Sequence, residues 1–446
     1  MARRLIVIGG VAAGMSAAAK ARRTDRDMEI VVYEKSGYIS YGACGMPYYI
    51  AGDIPDHQAL IARTPEQMAE QGVQVHLHHK VVAINPAQRT VTVHDHSGGR
   101  EFQTGYDRLV IATGARPVRP ALPGADLQGI FALRPLESGL AIRAFVRERN
   151  PRRAVIVGGG YIGVEMAETF RRLGLEVTMI IRSGLVMRTA LDDDVRQLLH
   201  AELERHSVRI VHSTPLAFEG QGHVQAVETA DGSFPCDIVL LGLGARPNAE
   251  LAQAAGIALG RTGAIATDNH MHTNLPGVYA AGDCAEAFHL VRGEPVYLPL
   301  GSTANKQGRV AGENAAGGEE TFDGIVGTMV ARCFDLFVAT TGLTAAAAHQ
   351  AGHQVRETLI RASDITHYMP GSAPIHVKLV ADTTTDRLLG GQIVGHKGVA
   401  KRIDVLATAL HNQMTIDALR RLDLSYAPPV APVWDPILVA ANVAAK

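Results

Sequence analysis

Short apolar runs separated by glycine turns open the chain. Leu5 to Ile8 is a run of apolar, mostly branched residues, which is typical of a strand buried on both faces of a parallel sheet. A glycine-rich turn, Gly9 to Gly14, and an alanine-rich helix, Met15 to Arg23, are predicted to follow. A second apolar strand, Ile30 to Tyr33, ends at Glu34. This order predicts a β-α-β unit that holds a pyrophosphate at the helix start and a ribose hydroxyl on the acidic residue.

The glycine pattern of this first turn is incomplete. Gly9 and Gly14 fill two of the three glycine positions of a dinucleotide-binding turn, while Val11 occupies the middle one with Gly10 beside it. Taken alone, the turn is therefore a weak indication of a nucleotide site.

A second copy of the same order is complete. Its strands are predicted at Ala154 to Val157 and Glu176 to Ile181, with a helix through Leu173 between them. Gly158, Gly160 and Gly163 fill all three glycine positions of the turn. Arg182 follows the second strand where a carboxylate would hold a ribose hydroxyl, so a 2′-phosphate is expected there and NADPH is favoured over, or accepted beside, NADH. A solvated surface arginine is the alternative.

Two further segments repeat along the chain. Val110 to Gly114 and Val239 to Gly244 are both predicted as strands that return beneath a dinucleotide, and both are followed by Ala-Arg-Pro. The strand that ends at Gly282 and Asp283 would bring its aspartate towards a ribityl chain. The duplication predicts an α/β protein with two Rossmann-like dinucleotide-binding domains.

Composition agrees with buried parallel sheets and excludes some partners. Of 446 residues, 47% are hydrophobic but only 5% aromatic, and 46 are glycine, so the length predicts two or three domains. A net charge of -1 gives no reason to expect nucleic acid or a membrane surface as partner. No segment has the ~20 unbroken apolar residues of a membrane span. Four cysteines without paired spacing favour a reducing cytoplasm.

Cys44 is the candidate redox residue. It lies in the run Ser40 to Tyr48, and Cys236, Cys284 and Cys333 are far from it in sequence. A cysteine that is redox-active alone must cycle through a mixed disulfide, a persulfide or a sulfenic acid. A helix start around Gly45 and a nearby flavin are expected to lower the pKa of its thiol. The alternative is a small buried hydrophobic residue.

Over essentially its whole length the chain resembles the FAD-dependent pyridine nucleotide-disulfide oxidoreductases, and most closely their single-cysteine branch of coenzyme A-disulfide reductases, persulfide and polysulfide reductases and NADH oxidases. The motifs are the two glycine turns, Ser40 to Tyr48, Gly282-Asp283 and Ser425 to Pro429. The resemblance implies an FAD domain at residues 1–116 and 257–325, an NAD(P)H domain at 117–256 and a C-terminal α+β dimerisation domain at 326–446.

The resemblance also implies roles for individual residues. For FAD these are Gly9, Gly10, Gly14, Glu34, Lys35, Thr113, Gly114, Asp283 and Ala304. For NAD(P)H they are Gly158, Gly160, Tyr161, Gly163, Glu165, Arg182 and Gly244, with Tyr161 gating the nicotinamide pocket. For the substrate, expected to be coenzyme A disulfide, a persulfide or a polysulfide, they are Ser16, Lys20, Arg23, Ser40 and Asn305. Tyr368 and Tyr426 would enter the active site of the partner subunit in a homodimer and act beside the catalytic Cys44.

Three alternatives stay open or are set aside. Related peroxidases and oxidases carry a histidine in the first glycine loop where this chain has Ala12, so an oxidase that cycles Cys44 through sulfenic acid is second to the disulfide reductase. An electron-transfer flavoprotein that acts on a protein partner does not need the Ser40 to Tyr48 motif. His76, His78, His79, His94 and His96 alternate along predicted strands without joining ligands, so no metal is predicted.

Overall fold

The first β-α-β unit forms as predicted in the computed structural model, which describes residues 3–446. Strands β1 (Arg4–Ile8) and β2 (Glu29–Tyr33) are parallel, and helix α1 (Ala12–Thr24) connects them. Helix α1 begins at Ala12, earlier than the predicted Met15. The turn is tighter than the glycine pattern suggested, because Gly14 packs on the carbonyl of Gly9 inside the first helical turn.

The rest of the first segment extends this sheet and adds a separate antiparallel layer. Its elements are two 3-10 helices (Ala43–Gly45 and His57–Leu60), helices α2 (Met46–Ala51) and α3 (Pro65–Glu70), and strands β3 (Val73–His76), β4 (His79–Asn85), β5 (Thr90–Asp95), β6 (Arg100–Gly105), β7 (Arg108–Ile111) and β8 (Ala115–Pro117). Strands β3 and β7 are parallel to their neighbours β2 and β1. Strands β4, β5 and β6 form the antiparallel layer.

The second unit repeats this architecture. Its elements are β9 (Ile130–Phe131), α4 (Leu136–Arg149), β10 (Arg153–Val157), α5 (Tyr161–Arg172), β11 (Glu176–Ile180), α6 (Asp193–Arg205), β12 (Val208–Val211), β13 (Pro215–Gln221), β14 (His223–Thr229), β15 (Gly232–Pro235), β16 (Ile238–Leu241), β17 (Ala245–Pro247) and α7 (Glu250–Ala254). The parallel sheet has the order β12-β11-β10-β16-β9, with β13, β14 and β15 as its antiparallel layer. The two predicted returning strands are β7 and β16, each beside the first strand of its unit.

The chain then returns to the first sheet. Its elements there are β18 (Val278–Ala280), β19 (Ala287–His289), β20 (Glu294–Val296) and α8 (Gly301–Ala315). Strand β18 pairs with β7 and completes the order β18-β7-β1-β2-β3, the counterpart of the second sheet. Helix α8 packs closely on α1, since a Cβ at Gly308 would lie 2.3 Å from the carbonyl oxygen of Ala13.

A C-terminal unit follows. It consists of β21 (Met329–Cys333), β22 (Leu336–Gly342), α9 (Ala345–Gln350), β23 (Val355–Ser363), β24 (Pro374–Asp382), β25 (Leu388–Gly395), α10 (Val399–His411), α11 (Ile416–Leu419) and α12 (Pro436–Ala444). The sheet is antiparallel in the order β21-β22-β25-β24-β23, and α10 and α12 pack on it. The α/β fold with an α+β C-terminal unit is therefore confirmed.

The C-terminal unit leaves an apolar patch exposed. The patch consists of Tyr368, Tyr426, Val430, Val433 and Trp434, and Trp434 is 62% exposed. A concentration of large apolar side chains on the surface marks an interaction site. Each helix within residues 3–446 is too short or too polar to cross a membrane.

Candidate active site

The first glycine turn brings its backbone close enough to exclude side chains. Gly9 has φ +104, and a Cβ there would lie 2.2 Å from the carbonyl oxygen of Ala112 at the end of β7. A Cβ at Gly14 would lie 1.8 Å from the carbonyl oxygen of Gly9. Val11 precedes α1 without a side-chain cap, so the helix start keeps backbone N–H groups for an anion. The turn therefore fits the pyrophosphate of a dinucleotide.

Glu34 lies beside this turn, as predicted for a ribose ligand. It is 5% exposed, and its carboxylate accepts hydrogen bonds from the backbone N–H groups of Gly10 (2.7 Å) and Ser36 (2.8 Å). Those bonds fix the carboxylate at the end of β2, with further lone pairs left for hydroxyl groups. Lys35 is exposed.

Thr113 and Gly114 follow β7 and lie where the first unit meets the second. The Thr113 hydroxyl donates to the carbonyl of Asn248 at 2.7 Å, and the Asn248 amide donates to the carbonyl of Thr113 at 2.8 Å. The two units are thus tied together at this point. Gly114 has φ +65 with open space around its Cβ position.

Asp283 and Tyr297 face the same region and support a flavin site. Asp283 forms an ion pair with Arg134, and burial raises the pKa of Asp283 while Arg134 opposes the rise. The hydroxyl of Tyr297 is buried without a hydrogen-bond partner, and the charge of Asp283 adds to the effect of burial in raising the pKa of Tyr297. An unsatisfied buried hydroxyl calls for a ligand. Ala304 is buried on α8 beside Gly282.

Cys44 is the one exposed cysteine of the chain. It lies in the 3-10 helix Ala43–Gly45, whereas Cys236, Cys284 and Cys333 are at most 1% exposed, and all four thiols are free. The alternative of a buried hydrophobic residue therefore does not hold for Cys44. Any second sulfur that pairs with it has to come from outside this chain.

The expected lowering of the Cys44 pKa rests on a flavin as well as a helix start, and the protein around Cys44 acts in the opposite direction. Surrounding protein raises the pKa of the Cys44 thiol, chiefly through desolvation, although its surface is still accessible to solvent. The carboxylates of Glu165 and Asp283 add to the rise, while Arg134 and a backbone hydrogen bond to the thiol act against it. These charges place Cys44 between the Asp283 wall and helix α5.

The second glycine turn repeats the geometry of the first. Gly158 has φ +109 and a Cβ position 2.4 Å from the carbonyl oxygen of Gly242, and a Cβ at Gly163 would lie 2.3 Å from the carbonyl oxygen of Gly158. Gly160 and Gly244 have open space at their Cβ positions. The turn again leaves room only for backbone beside a phosphate.

Tyr161 and Glu165 lie one turn apart at the start of α5. Burial raises the pKa of Tyr161, with the charge of Glu165 adding to it. Burial and the neighbouring carboxylate of Glu168 raise the pKa of Glu165 to about 7. A carboxyl group that titrates near neutrality beside Cys44 can take up or release a proton there.

Arg182 lies on the loop of residues 181–188 that follows β11, defined here as the coenzyme loop. The loop reaches the second glycine turn, because the N–H of Met187 donates to the carbonyl of Gly159 at 2.7 Å. Arg182 and Arg188 are both exposed, and within residues 3–446 neither side chain has a hydrogen-bond or ion-pair partner. Two free guanidinium groups beside a phosphate turn suit a 2′-phosphate.

Two of the predicted substrate residues on α1, Ser16 and Lys20, pair with side chains on α8. The Ser16 hydroxyl donates to the Asn305 side chain at 2.7 Å, and one turn further Lys20 forms an ion pair with Glu313 at 2.7 Å. Lys20 is thus partly neutralised, whereas Arg23 is exposed and free. Ser40 adjoins the first turn, where its N–H donates to the carbonyl of Gly10 at 2.9 Å.

Tyr368 and Tyr426 lie together in the exposed apolar patch. The neighbouring hydroxyl of Tyr368 raises the pKa of Tyr426. Tyr368 is 62% exposed and Tyr426 is 48% exposed. Both phenols therefore lie on the surface of the chain.

Some residues of the site carry no sequence signal. Arg134, Tyr297 and Glu168 belong to no motif, and their positions follow from how distant segments meet. Arg188 could have been found from the sequence, since it lies in the same short loop as Arg182.

Two dinucleotide turns on one chain, with a free cysteine between them, define a nucleotide-dependent redox enzyme. Residues 3–308 match the model of the pyridine nucleotide-disulphide oxidoreductases, and residues 330–436 match the dimerisation domain of the same family. The chain belongs to this family, and its cofactors are FAD and NAD(P)H.

Three similar proteins have informative names. The NAD(P)H coenzyme A polysulfide/persulfide reductase of Pyrococcus horikoshii is 39% identical, over 99% of this chain and 98% of its own length. The coenzyme A disulfide reductase of Staphylococcus haemolyticus is 31% identical, over 96% of each chain. An engineered water-forming NADPH oxidase, made by five substitutions in the Lactobacillus brevis NADH oxidase and bound to NADPH, is 30% identical, with a TM-score of 0.95 over 99% of this chain and 98% of its own.

Proposed function

We propose that this enzyme reduces coenzyme A disulfide, or a persulfide or polysulfide bound through coenzyme A, by way of a mixed disulfide or persulfide on Cys44. The observation that carries the proposal is the solitary exposure of Cys44 among four free cysteines. A redox cysteine without an internal partner must take its second sulfur from the substrate. The names of the two reductases similar to this chain agree with such a substrate.

The reaction begins when the Cys44 thiolate attacks one sulfur of the disulfide. The S–S bond of the substrate breaks, a new S–S bond joins Cys44 to one half, and the other half leaves as a thiolate that takes a proton. Bound FAD supplies the electron pair that NAD(P)H delivers as hydride, and this pair releases the second thiol and restores Cys44. With a persulfide, the Cys44 thiolate attacks the outer sulfur, the S–S bond of the substrate breaks and its thiol leaves with a proton. The same electron pair would then split the Cys44 persulfide into the free thiol and sulfide.

The chain's own residues manage the protons and the resting charge. Burial disfavours the Cys44 thiolate, and the carboxylates of Glu165 and Asp283 add to this effect. Glu165, with its pKa raised to about 7, accepts or releases a proton near this sulfur. We assign Tyr368 and Tyr426 to the active site of the partner subunit in a homodimer, where a phenol hydrogen-bonds the leaving sulfur.

We assign the phosphate end of coenzyme A to the exposed side of α1 beside α8. Ser40 and Ser16 lie near the first glycine turn, and Lys20 and Arg23 lie further along the helix. From Ser16 to Arg23 the helix rises about 10 Å. The cations are thus separated from the residues near the first turn, as a long thiol with terminal phosphates requires.

NADPH is the proposed hydride donor. In the engineered oxidase, alanine, arginine and serine replace aspartate, alanine and methionine in succession, and a second arginine replaces a proline after four further residues. This chain has Ile181, Arg182 and Ser183 in succession and Arg188 after the same interval. An apolar residue thus takes the place of the aspartate that would repel a 2′-phosphate, and two arginines are available to bind it.

An NAD(P)H oxidase is the second candidate, favoured by the likeness to the engineered oxidase. In that reaction Cys44 would cycle through sulfenic acid, and NADPH loss would be matched by oxygen uptake. Ala12 in place of a histidine argues against it. We assign the reductase to the reducing cytoplasm, where coenzyme A thiols and free cysteines persist.

The test is to supply NADPH with coenzyme A disulfide, coenzyme A persulfide, polysulfide and oxygen in turn, and to weigh the species left on Cys44 by mass spectrometry. Cys44→Ser should abolish reduction of every sulfur substrate while FAD stays bound. Cys236→Ser, at a buried thiol, is the matched control and should keep the activity. Sulfur reduction that survives in Cys44→Ser would refute the proposal.

A further inference from the structure

We infer that Arg196 on α6 is a positioning residue for the coenzyme, because it fixes the backbone of the coenzyme loop from behind. Arg182 and Arg188 then face the coenzyme from a set position. The inference rests on the proposed use of NADPH and names a residue outside both glycine turns.

The guanidinium of Arg196 is committed to the coenzyme loop. Its Nε donates to the carbonyl of Val186 at 2.7 Å, and one Nη donates to the carbonyl of Leu185 at 2.6 Å and to the hydroxyl of Ser183 at 3.2 Å. The other Nη forms an ion pair with Asp193. The Arg196 side chain is 6% exposed, so its donors depend on these acceptors in place of water.

The two free arginines depend on this backbone for their position. Arg182 and Arg188 flank the segment that Arg196 holds, and within the described residues their side chains have no hydrogen-bond or ion-pair partner. The segment lies against the phosphate turn, because a Cβ at Gly159 would be 3.2 Å from the Cα of Val186. A shift of the loop therefore changes the distance between both arginines and a bound nucleotide.

The start of α6 is itself held by the C-terminal unit. Lys378 on β24 is 2% exposed, and its ammonium lies 2.8 Å from both carboxylate oxygens of Asp194. Gln392 on β25 donates to Asp192 at 2.6 Å. These contacts fix the helix from which Arg196 projects, so the coenzyme loop takes its position from the C-terminal sheet as well as from its own unit.

Arg196→Met removes the three donors to the loop, and Arg196→Lys keeps the charge beside Asp193 but loses the planar set of donors. Both variants are to be prepared loaded with FAD. NADPH and NADH oxidation are measured with ferricyanide as acceptor, which reports coenzyme use whether or not a disulfide is reduced. We expect the ratio of kcat/KM for NADPH to that for NADH to fall about tenfold in Arg196→Met, mainly through the KM for NADPH. Arg196→Lys should recover part of the ratio.

Arg205→Met is the matched control, since Arg205 ends the same helix and pairs with Glu202 and Asp335 without touching the coenzyme loop. Its coenzyme ratio should equal that of the wild type. Equal losses with both coenzymes in the two Arg196 variants, or an unchanged ratio, would mean that Arg196 only stabilises the fold and would overturn the inference. An unchanged ratio in Arg182→Ala would refute the proposed NADPH site itself, and the inference about Arg196 would fall with it.

Discussion

Replacing Gly9 by alanine should empty the FAD site while leaving the second nucleotide site intact. Alanine at φ +104 is strained by roughly 1–2 kcal/mol, because its Cβ approaches the following carbonyl. The new Cβ would also lie 2.2 Å from the carbonyl oxygen of Ala112, so the turn or β7 must move by about 1.2 Å to reach an ordinary 3.4 Å contact. A displacement of about 1 Å can cost a hundredfold in a site built on close approach.

The duplicated turn supplies an internal comparison. Gly158→Ala creates the same conflict at φ +109 with the carbonyl oxygen of Gly242, 2.4 Å away. Gly174→Ala is the control, since Gly174 has φ +86 but nothing within 4 Å of its Cβ position. We expect Gly9→Ala to lose flavin absorbance, Gly158→Ala to keep FAD with a KM for NADPH raised about tenfold, and Gly174→Ala to change only stability. Full FAD occupancy in a folded Gly9→Ala protein would refute the assignment of the first turn.

Three further predictions concern charge, assembly and the phenols. Glu165→Gln removes a negative charge that raises the pKa of Cys44. Alkylation of Cys44 should therefore be several times faster than in the wild type above about pH 7, and equally fast below it, where Glu165 is protonated. Equal alkylation rates at every pH would contradict this prediction. Trp434→Glu should convert a homodimer to monomers in sedimentation, because it buries a charge in the apolar patch; an unchanged dimer would place the interface elsewhere. Tyr426→Phe should lower kcat for disulfide reduction about tenfold without changing the KM for NADPH, and an unchanged kcat would exclude the phenol from catalysis.

The fold was predictable because its signals are local. Branched apolar runs of four or five residues and glycines at fixed intervals determine β1, β10 and their turns within the printed sequence. The boundaries moved only slightly: α1 begins at Ala12 and not at Met15, because Gly14 is tolerated inside a helix when it packs on a carbonyl. The division of the chain at residues 117 and 257 stays a prediction.

The electrostatics of the site were less predictable because they depend on distant contacts. Lys20 was expected to bind the substrate, and its ammonium pairs with Glu313 on the distant helix α8. The pKa of Cys44 was expected to fall beside a flavin and a helix start, whereas the surrounding protein raises it, first through burial and then through Glu165 and Asp283, which come from two different units. No periodicity within one segment records which carboxylates will face a thiol after the units pack together.

Buried charged residues join the C-terminal unit to helices α5 and α6. Glu168 on α5, 6% exposed, accepts a hydrogen bond from the N–H of Phe334 at 2.8 Å, in the hairpin of the C-terminal sheet, and raises the pKa of Glu165 one turn away. Lys378 holds the start of α6 from the same sheet. Removing Glu168 leaves the N–H of Phe334 without its acceptor, and removing Lys378 leaves the largely buried carboxylate of Asp192 without its cation, so either change favours movement between the units. Because α5 carries Tyr161 and Glu165, which are proposed to face the nicotinamide, and α6 carries Arg196, such movement displaces both ends of the proposed coenzyme site together. Substitutions at this sheet should therefore alter coenzyme kinetics even where they touch neither nucleotide turn.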